Sequence, residues 1–113
     1  MKKFMIMYRS DSSAQDTMNA STPEEMKAGM DAWIKWKDGV EAAGVKFEFG
    51  MPLQGSKHMA GDEVSASDSD VSGYSIMEGD TVDDVLQHLS SHPHLKVAGN
   101  SIEVLEFLPM PGM

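Results

Sequence analysis

The chain contains no cysteine. That absence excludes disulfide staples, thiolate metal sites and a cysteine nucleophile. Arginine is almost absent too, Arg9 being the single one. Lys and Arg number 9 against 18 acidic residues, a formal net charge of −9. Neutralising phosphates takes clustered Lys and Arg, so nucleic acid is excluded as a main partner. No apolar run approaches the roughly 20 residues that cross a bilayer, and no membrane association is expected. Met1-Lys2-Lys3 opens like a basic n-region, but only about five apolar residues follow before Arg9, too few for a secretory signal. There is no P-loop, GxGxxG, GxSxG elbow, HExxH or EF-hand loop. No cofactor and no metal are expected, and the expected location is the cytoplasm.

What is present suits one domain over residues 1–113, with 109–113 as a proline-broken tail. Hydrophobic residues make up 41%, enough for one modest core. Phe4 to Tyr8 is an apolar strand without alternation, so both of its faces are expected to be covered. Ser10 to Ser21 and Ser65 to Ser72 read as loops. Thr22-Pro23-Glu24-Glu25 is a capping box with proline at the first helical position, opening a helix over 23–43 that stops at Gly44. Met26, Met30, Trp33, Ile34 and Val40 form its apolar stripe. Val45 to Phe49 alternates as a strand with one wet face. A short hairpin turning at Gly61-Asp62 is expected between Lys57 and Ser67. Gly73 to Met77 is a further strand, and Thr81 caps a second helix whose stripe is Val82, Val85, Leu86 and Leu89. Pro93 ends it, and Ser101 to Leu108 is the last strand.

The result is an α+β chain in the order β-α-β-β-α-β, an antiparallel sheet with two helices on one face. Two helices cover only one side of such a sheet. Yet the first strand is apolar on both faces and the last has two apolar residues on its second face, so either a second copy covers them, the simplest cover, giving a two-fold homodimer through the sheet face, or that face is merely spotted with apolar residues, as real surfaces are.

Several residues invite a chemical role. His92-Pro93-His94 places two imidazoles beside a helix end. They could move a proton, touch a substrate, or simply favour the negative end of the helix dipole. His88 precedes His92 by four residues, a metal-ligand spacing if the helix runs that far, yet no acid lies in the segment to complete a site. Lys37 falls near the middle of the first helix's stripe. Its charge must either snorkel past Trp33 or Trp36, or meet Glu103, Glu106 or a bound anion. Trp33, Trp36 and Tyr8 fit a core and fit equally the apolar wall of a small-molecule pocket. Arg9 is expected to pair with Asp11, or to grip a carboxylate. Asp68 and Asp70 read as a solvated turn rather than a cation site. His58 has no neighbour that gives it a task. The 11 methionines suggest a deformable interior.

In order and spacing, the N-terminal strand Lys3 to Tyr8, the Thr-Pro-Glu-Glu-Met helix opening, Ala43-Gly44, Gly50-Met51-Pro52-Leu53, Gly73-Tyr74-Ser75-Ile76 and Ser101-Ile102-Glu103-Val104 resemble the YCII-related family, close to its DGPF-domain branch. The resemblance covers nearly the whole chain. It implies a ferredoxin-like fold, paired sheet to sheet as a dimeric α/β barrel. Some relatives in the wider superfamily are small-molecule isomerases, oxygenases or lyases with a pocket between helices and sheet. The founding branch is associated with a His–Asp pair; here the first helix has no His, and His92 stands before the proline where that pattern has Asp. The DGPF signature is replaced by Asp68-Ser69-Asp70-Val71. His92, then His94, are the best-matched catalytic positions, with Tyr8, Trp33, Trp36 and Lys37 as substrate-binding candidates. The expected function is a cofactor-independent small-molecule enzyme of the proton-transfer isomerase or lyase type. The alternative is a non-catalytic dimeric small-ligand-binding or accessory module.

Overall fold

The first strand, β1 (Lys2–Arg9), alternates in burial although its sequence does not alternate in polarity. Phe4, Ile6 and Tyr8 are at most 2% exposed, while Met5 and Met7 between them are half-buried. The computed structural model describes residues 1–111, and of residues 14 and 15 the backbone only. Residues 112–113 of the expected tail lie outside this range.

β1 is an inner strand of a four-stranded sheet. The others are β2 (Phe47–Pro52), β5 (Val71–Gly79) and β6 (Ser101–Glu106), in the order β2-β5-β1-β6, with every neighbouring pair antiparallel. A separate two-stranded hairpin, β3 (Lys57–Ala60) with β4 (Glu63–Ala66), lies between β2 and β5 in the chain. Its two-residue turn begins at Gly61, whose φ of +62° suits glycine at the first central position of a type II′ turn.

Register assembles the core. Met77 sits opposite Phe4 on one side and Phe47 on the other, so three large apolar side chains form a row on one face. α2 (Pro23–Ala42) contributes Val40 to that face, and α3 (Val82–Leu89) contributes Val85 and Leu89. Each such side chain, fully buried, contributes about 1.5–3 kcal/mol. The start of α2 is fixed locally. The Glu25 N–H donates to Thr22 Oγ1 and the Thr22 N–H donates to Glu25 Oε1, both at 3.1 Å, the reciprocal capping box. Its end is set by Gly44 at φ +88°, a conformation glycine adopts without strain.

The α+β class and the antiparallel sheet are as the sequence indicates, and the strand order is compatible with the β-α-β-β-α-β pattern. Four expectations are corrected. Ser10 to Ser21 is not all loop: α1 (Ala14–Ala20) forms there, capped by Ser13 Oγ accepting the Asp16 N–H at 3.0 Å. Three α-helices therefore occur among the described residues, not two. The stripe of α2 is only partly covered, since Met26, Met30 and Ile34 are 42%, 60% and 44% exposed. Periodicity finds the apolar side of a helix but not how much of its length overlies the sheet; here Trp33, Trp36 and Val40 make the contact and the earlier turns overhang. In α3, Val85 and Leu89 are buried while Val82 and Leu86 are exposed, because a short helix rests on a narrow line of contact. The last strand stops at Glu106 rather than Leu108, one further hydrogen bond joining Phe107 N–H to Lys3 O at 2.9 Å. No helix among the described residues is long and apolar enough to cross a membrane.

Candidate functional site: a buried tyrosine, histidine and serine

Near the Arg9 end of β1, the apolar core gives way to polar atoms. Tyr8 lies on the helix-facing side of β1, directly opposite Gly73, which puts no side chain in the way of its ring. Two residues further along β5, Ser75 points to the same face and is wholly buried. His92 arrives from the turn after α3. It is held extended, at φ −65° and ψ 133°, as a residue before proline prefers. Its ring enters the core completely, at 0% exposure.

Hydrogen bonds place the proton of His92. The His94 backbone N–H donates to His92 Nδ1 at 3.0 Å, so Nδ1 is the ring's acceptor. The proton of the neutral ring is then on Nε2, which lies 3.0 Å from Tyr8 Oη and donates to it. Tyr8 Oη lies 2.9 Å from Ser75 Oγ. Burial lowers the His92 pKa to about 4, and the neighbouring His94 adds to the effect. Burial raises the Tyr8 pKa to about 12, against a smaller opposing effect of its bond to Ser75. Near neutral pH both groups are therefore uncharged.

Aromatic rings wall the cluster. Trp36 and Trp33 lie 4.3 and 4.5 Å from the His92 ring between centroids, and Tyr8 lies 4.8 Å from Trp33. Trp36 is anchored by its indole N–H, which donates to Ser91 Oγ at 3.1 Å. His94 faces a different task. Its Nε2 lies 2.9 Å from Arg9 O and 3.0 Å from Ser101 O, so its N–H is shared between carbonyls of β1 and β6. It pins the 3-10 turn Pro93–Lys96 to the seam between those strands, and Asn100 Nδ2 reinforces it by donating to His94 O at 3.2 Å.

Of the six candidate residues, Tyr8, Trp33, Trp36 and His92 come together, with His94 beside them, its ring 5.1 Å from that of Tyr8. Lys37 lies apart. It snorkels over the Phe49 ring, its Nζ 5.4 Å from the centroid, and reaches Glu41 at 3.9 Å rather than Glu103 or Glu106. Arg9 pairs not with Asp11 but with Asp70 at 2.8 Å and Glu103 at 3.4 Å, because it projects from the sheet face on which Glu103 also stands. α3 ends at Leu89, so His88 and His92 do not share a helix face. Among the described residues no group of three or more His, Asp or Glu is arranged to hold a metal ion. Two clefts of about 290 and 280 Å³ are present, one by Asp11, Asp68 and Asp70, the other by Lys3, Lys46 and Glu78.

Sequence reasoning missed Ser75, Ser91 and Asn100. Ser75 had a legible signal: it alternates with Gly73 and Met77 and is the lone hydroxyl on the inward face of that strand. Neither a scan against protein-family models nor a search of curated proteins finds a match to this chain.

Proposed function

We propose that this protein is a cofactor-independent enzyme of the proton-transfer type, isomerase or lyase, acting on a carbonyl-bearing small molecule. The carrying observation is a proton surplus. Tyr8 Oη, Ser75 Oγ and His92 Nε2 bring three donor hydrogens and share two hydrogen bonds, and no other hydrogen bond of these atoms is present among the described residues. One hydroxyl hydrogen has no acceptor among the described residues. When Ser75 and His92 both donate to Tyr8 Oη, the phenol is polarised and its own hydrogen is free for an oxygen outside the cluster. Such a donor stabilises the enolate oxygen that forms when solvent takes the proton from the carbon beside a carbonyl, the cluster supplying the hydrogen bond rather than the base, an effect worth about 10²–10³ in rate per donor. In this reading Tyr8 is the catalytic donor, His92 and Ser75 are positioning residues, and Trp33 and Trp36 form the apolar wall.

The test is exchange of α-protons for deuterium, followed by NMR, across a panel of α-keto acids and 1,3-dicarbonyl compounds. At least one compound should exchange, and Tyr8→Phe should slow it about 100-fold or more. No exchange with any compound, or an unchanged rate in Tyr8→Phe, would refute the assignment. The burial of Tyr8, Ser75 and His92 to 2% exposure or less favours a second reading, a ligand-binding module in which the cluster only orients the core. Thermal shifts with the panel that are the same for wild type and Tyr8→Phe would support that module.

The resemblance to YCII-related proteins supports a ferredoxin-like subunit that pairs sheet to sheet as a dimeric α/β barrel. The face of the sheet turned from the helices carries Met5, Met7, Tyr74, Ile76 and Leu105, set side by side by the register. Sedimentation should give about 25 kDa, twice the chain mass of 12.3 kDa. Met7→Asp should yield single subunits by leaving an unpaired carboxylate in the interface.

A further inference from the structure

We infer that α2 is a lid over the Tyr8 cluster, latched shut by the bond between Trp36 and Ser91, an inference that rests on the reading of Tyr8 as a donor to substrate. A substrate oxygen needs a way to atoms that are sealed here, and what seals them is one helix. Trp33 closes against the rings of Tyr8 and His92, and Trp36 closes against those of His92 and Phe47. Both tryptophans belong to α2. Displacing that helix uncovers the cluster and leaves β1, β5 and the turn that carries His92 in place.

α2 is built to move as one piece. Its capping box and the Lys37–Glu41 pair are bonds within the helix and its cap, so they survive a displacement of the whole. Met26, Met30 and Ile34 are exposed and have little packing to lose as the overhanging half lifts. Among the described residues, only one α2 side chain makes a hydrogen bond to another element of the fold. It is Trp36, whose indole N–H is shared between Ser91 Oγ at 3.1 Å and His88 O at 3.3 Å. The Ser91 hydroxyl donates in turn to His88 O at 3.3 Å, which aims its oxygen lone pairs at the indole.

The far end of the helix supplies the pivot. Gly44 N–H donates to Glu41 O at 2.9 Å and Val45 N–H to Val40 O at 3.3 Å, so the cap closes on the helix itself. Lys46 O, by contrast, is held to the sheet by Glu78 N–H at 3.0 Å. The pivot therefore falls at the Val45–Lys46 link. Trp33 lies about 18 Å along the helix from it, and Val40 about 8 Å. A swing of about 15° lifts Trp33 by about 5 Å and Val40 by only about 2 Å. The first displacement exceeds the roughly 3.5 Å thickness of a planar carbonyl compound, and the second keeps Val40 beside the core.

Ser75 is wholly buried and the chain has no cysteine, so a thiol at position 75 reports on opening. Labelling of Ser75→Cys by methyl methanethiosulfonate in native buffer should proceed through an opening with a much shallower urea dependence than global unfolding, the mark of a local event. Adding Ser91→Ala should speed the labelling about fivefold or more, with its urea dependence still shallow. Nitroxides at Met26→Cys and Asp80→Cys, diluted with unlabelled protein, assign the movement to α2 and leave Ser75 intact should its variant not fold. Position 26 is about 28 Å from the pivot and moves by about 7 Å, so Ser91→Ala should add a second distance to the spin-pair distribution. Labelling only with the urea dependence of global unfolding, a rate indifferent to Ser91→Ala, or a single unshifted distance would overturn the lid. Exchange of α-protons by the wild type would then leave the donor reading standing. A lid that opens locally in a protein that exchanges no compound would refute the donor reading alone.

Discussion

Along β1, Phe4, Ile6 and Tyr8 turn toward the helices, and Met5, Met7 and Arg9 turn away. The first set is sealed and the second half-covered, although the two are interleaved in one strand. The sealed face is rigid in its demands: Phe4 packs in a row with Met77 and Phe47, and Tyr8 answers to two hydrogen-bond partners. The open face carries flexible methionines and the ion pairs of Arg9, groups that tolerate a change of neighbour. One face holds the subunit together; the other is the face proposed above to pair with a second copy.

Substitutions can test that division. Phe4→Ala should cost about 3–5 kcal/mol in urea unfolding, since it opens a cavity in the sealed row. An equal loss from Met5→Ala would erase the distinction. Acid should probe the sealed face next. The His92 pKa is about 4 in the folded protein and 6.5 in its ordinary range, so below pH 6.5 the unfolded chain takes up a proton that the fold refuses. Stability is fully present above pH 6.5 and falls as the pH drops toward 4, by up to about 3 kcal/mol. Urea midpoints across that interval should show the decline, and His92→Gln should flatten it. Tyr8→Phe leaves Ser75 and the His92 Nε2–H without their shared partner and should cost about 1–3 kcal/mol in the same assay. Met5→Ala should change the unfolding energy of the isolated subunit by less than about 1 kcal/mol, yet weaken self-association in sedimentation.

Much of this was legible in the residues. The capping box at Thr22, the stop at Gly44 and the turn at Gly61 are local devices, and each appears where its residues place it. The gathering of Tyr8, Trp33, Trp36 and His92 was legible only as a list of candidates, because Tyr8 meets Ser75, 67 residues away, through the β1–β5 register, and His92, 84 residues away, through the turn after α3, and neither juxtaposition is local in sequence. α1 was hidden because its Ser, Asp and Asn residues favour turns as well as caps, and Ser13 resolves that choice only once Asp16 N–H is in reach. The overhang of α2 was illegible for a different reason. Met26 and Met30 have the same spacing whether a sheet lies beneath them or not.

Both tryptophans of the chain border the ring of His92, one on its edge and one on its tilted side. Indole emission is quenched by a protonated imidazole in contact and much less by a neutral one. The intrinsic fluorescence of the folded protein therefore reports on the charge of the imidazoles beside the tryptophans, His92 against both and His94 against Trp33, readable without labels or mutation.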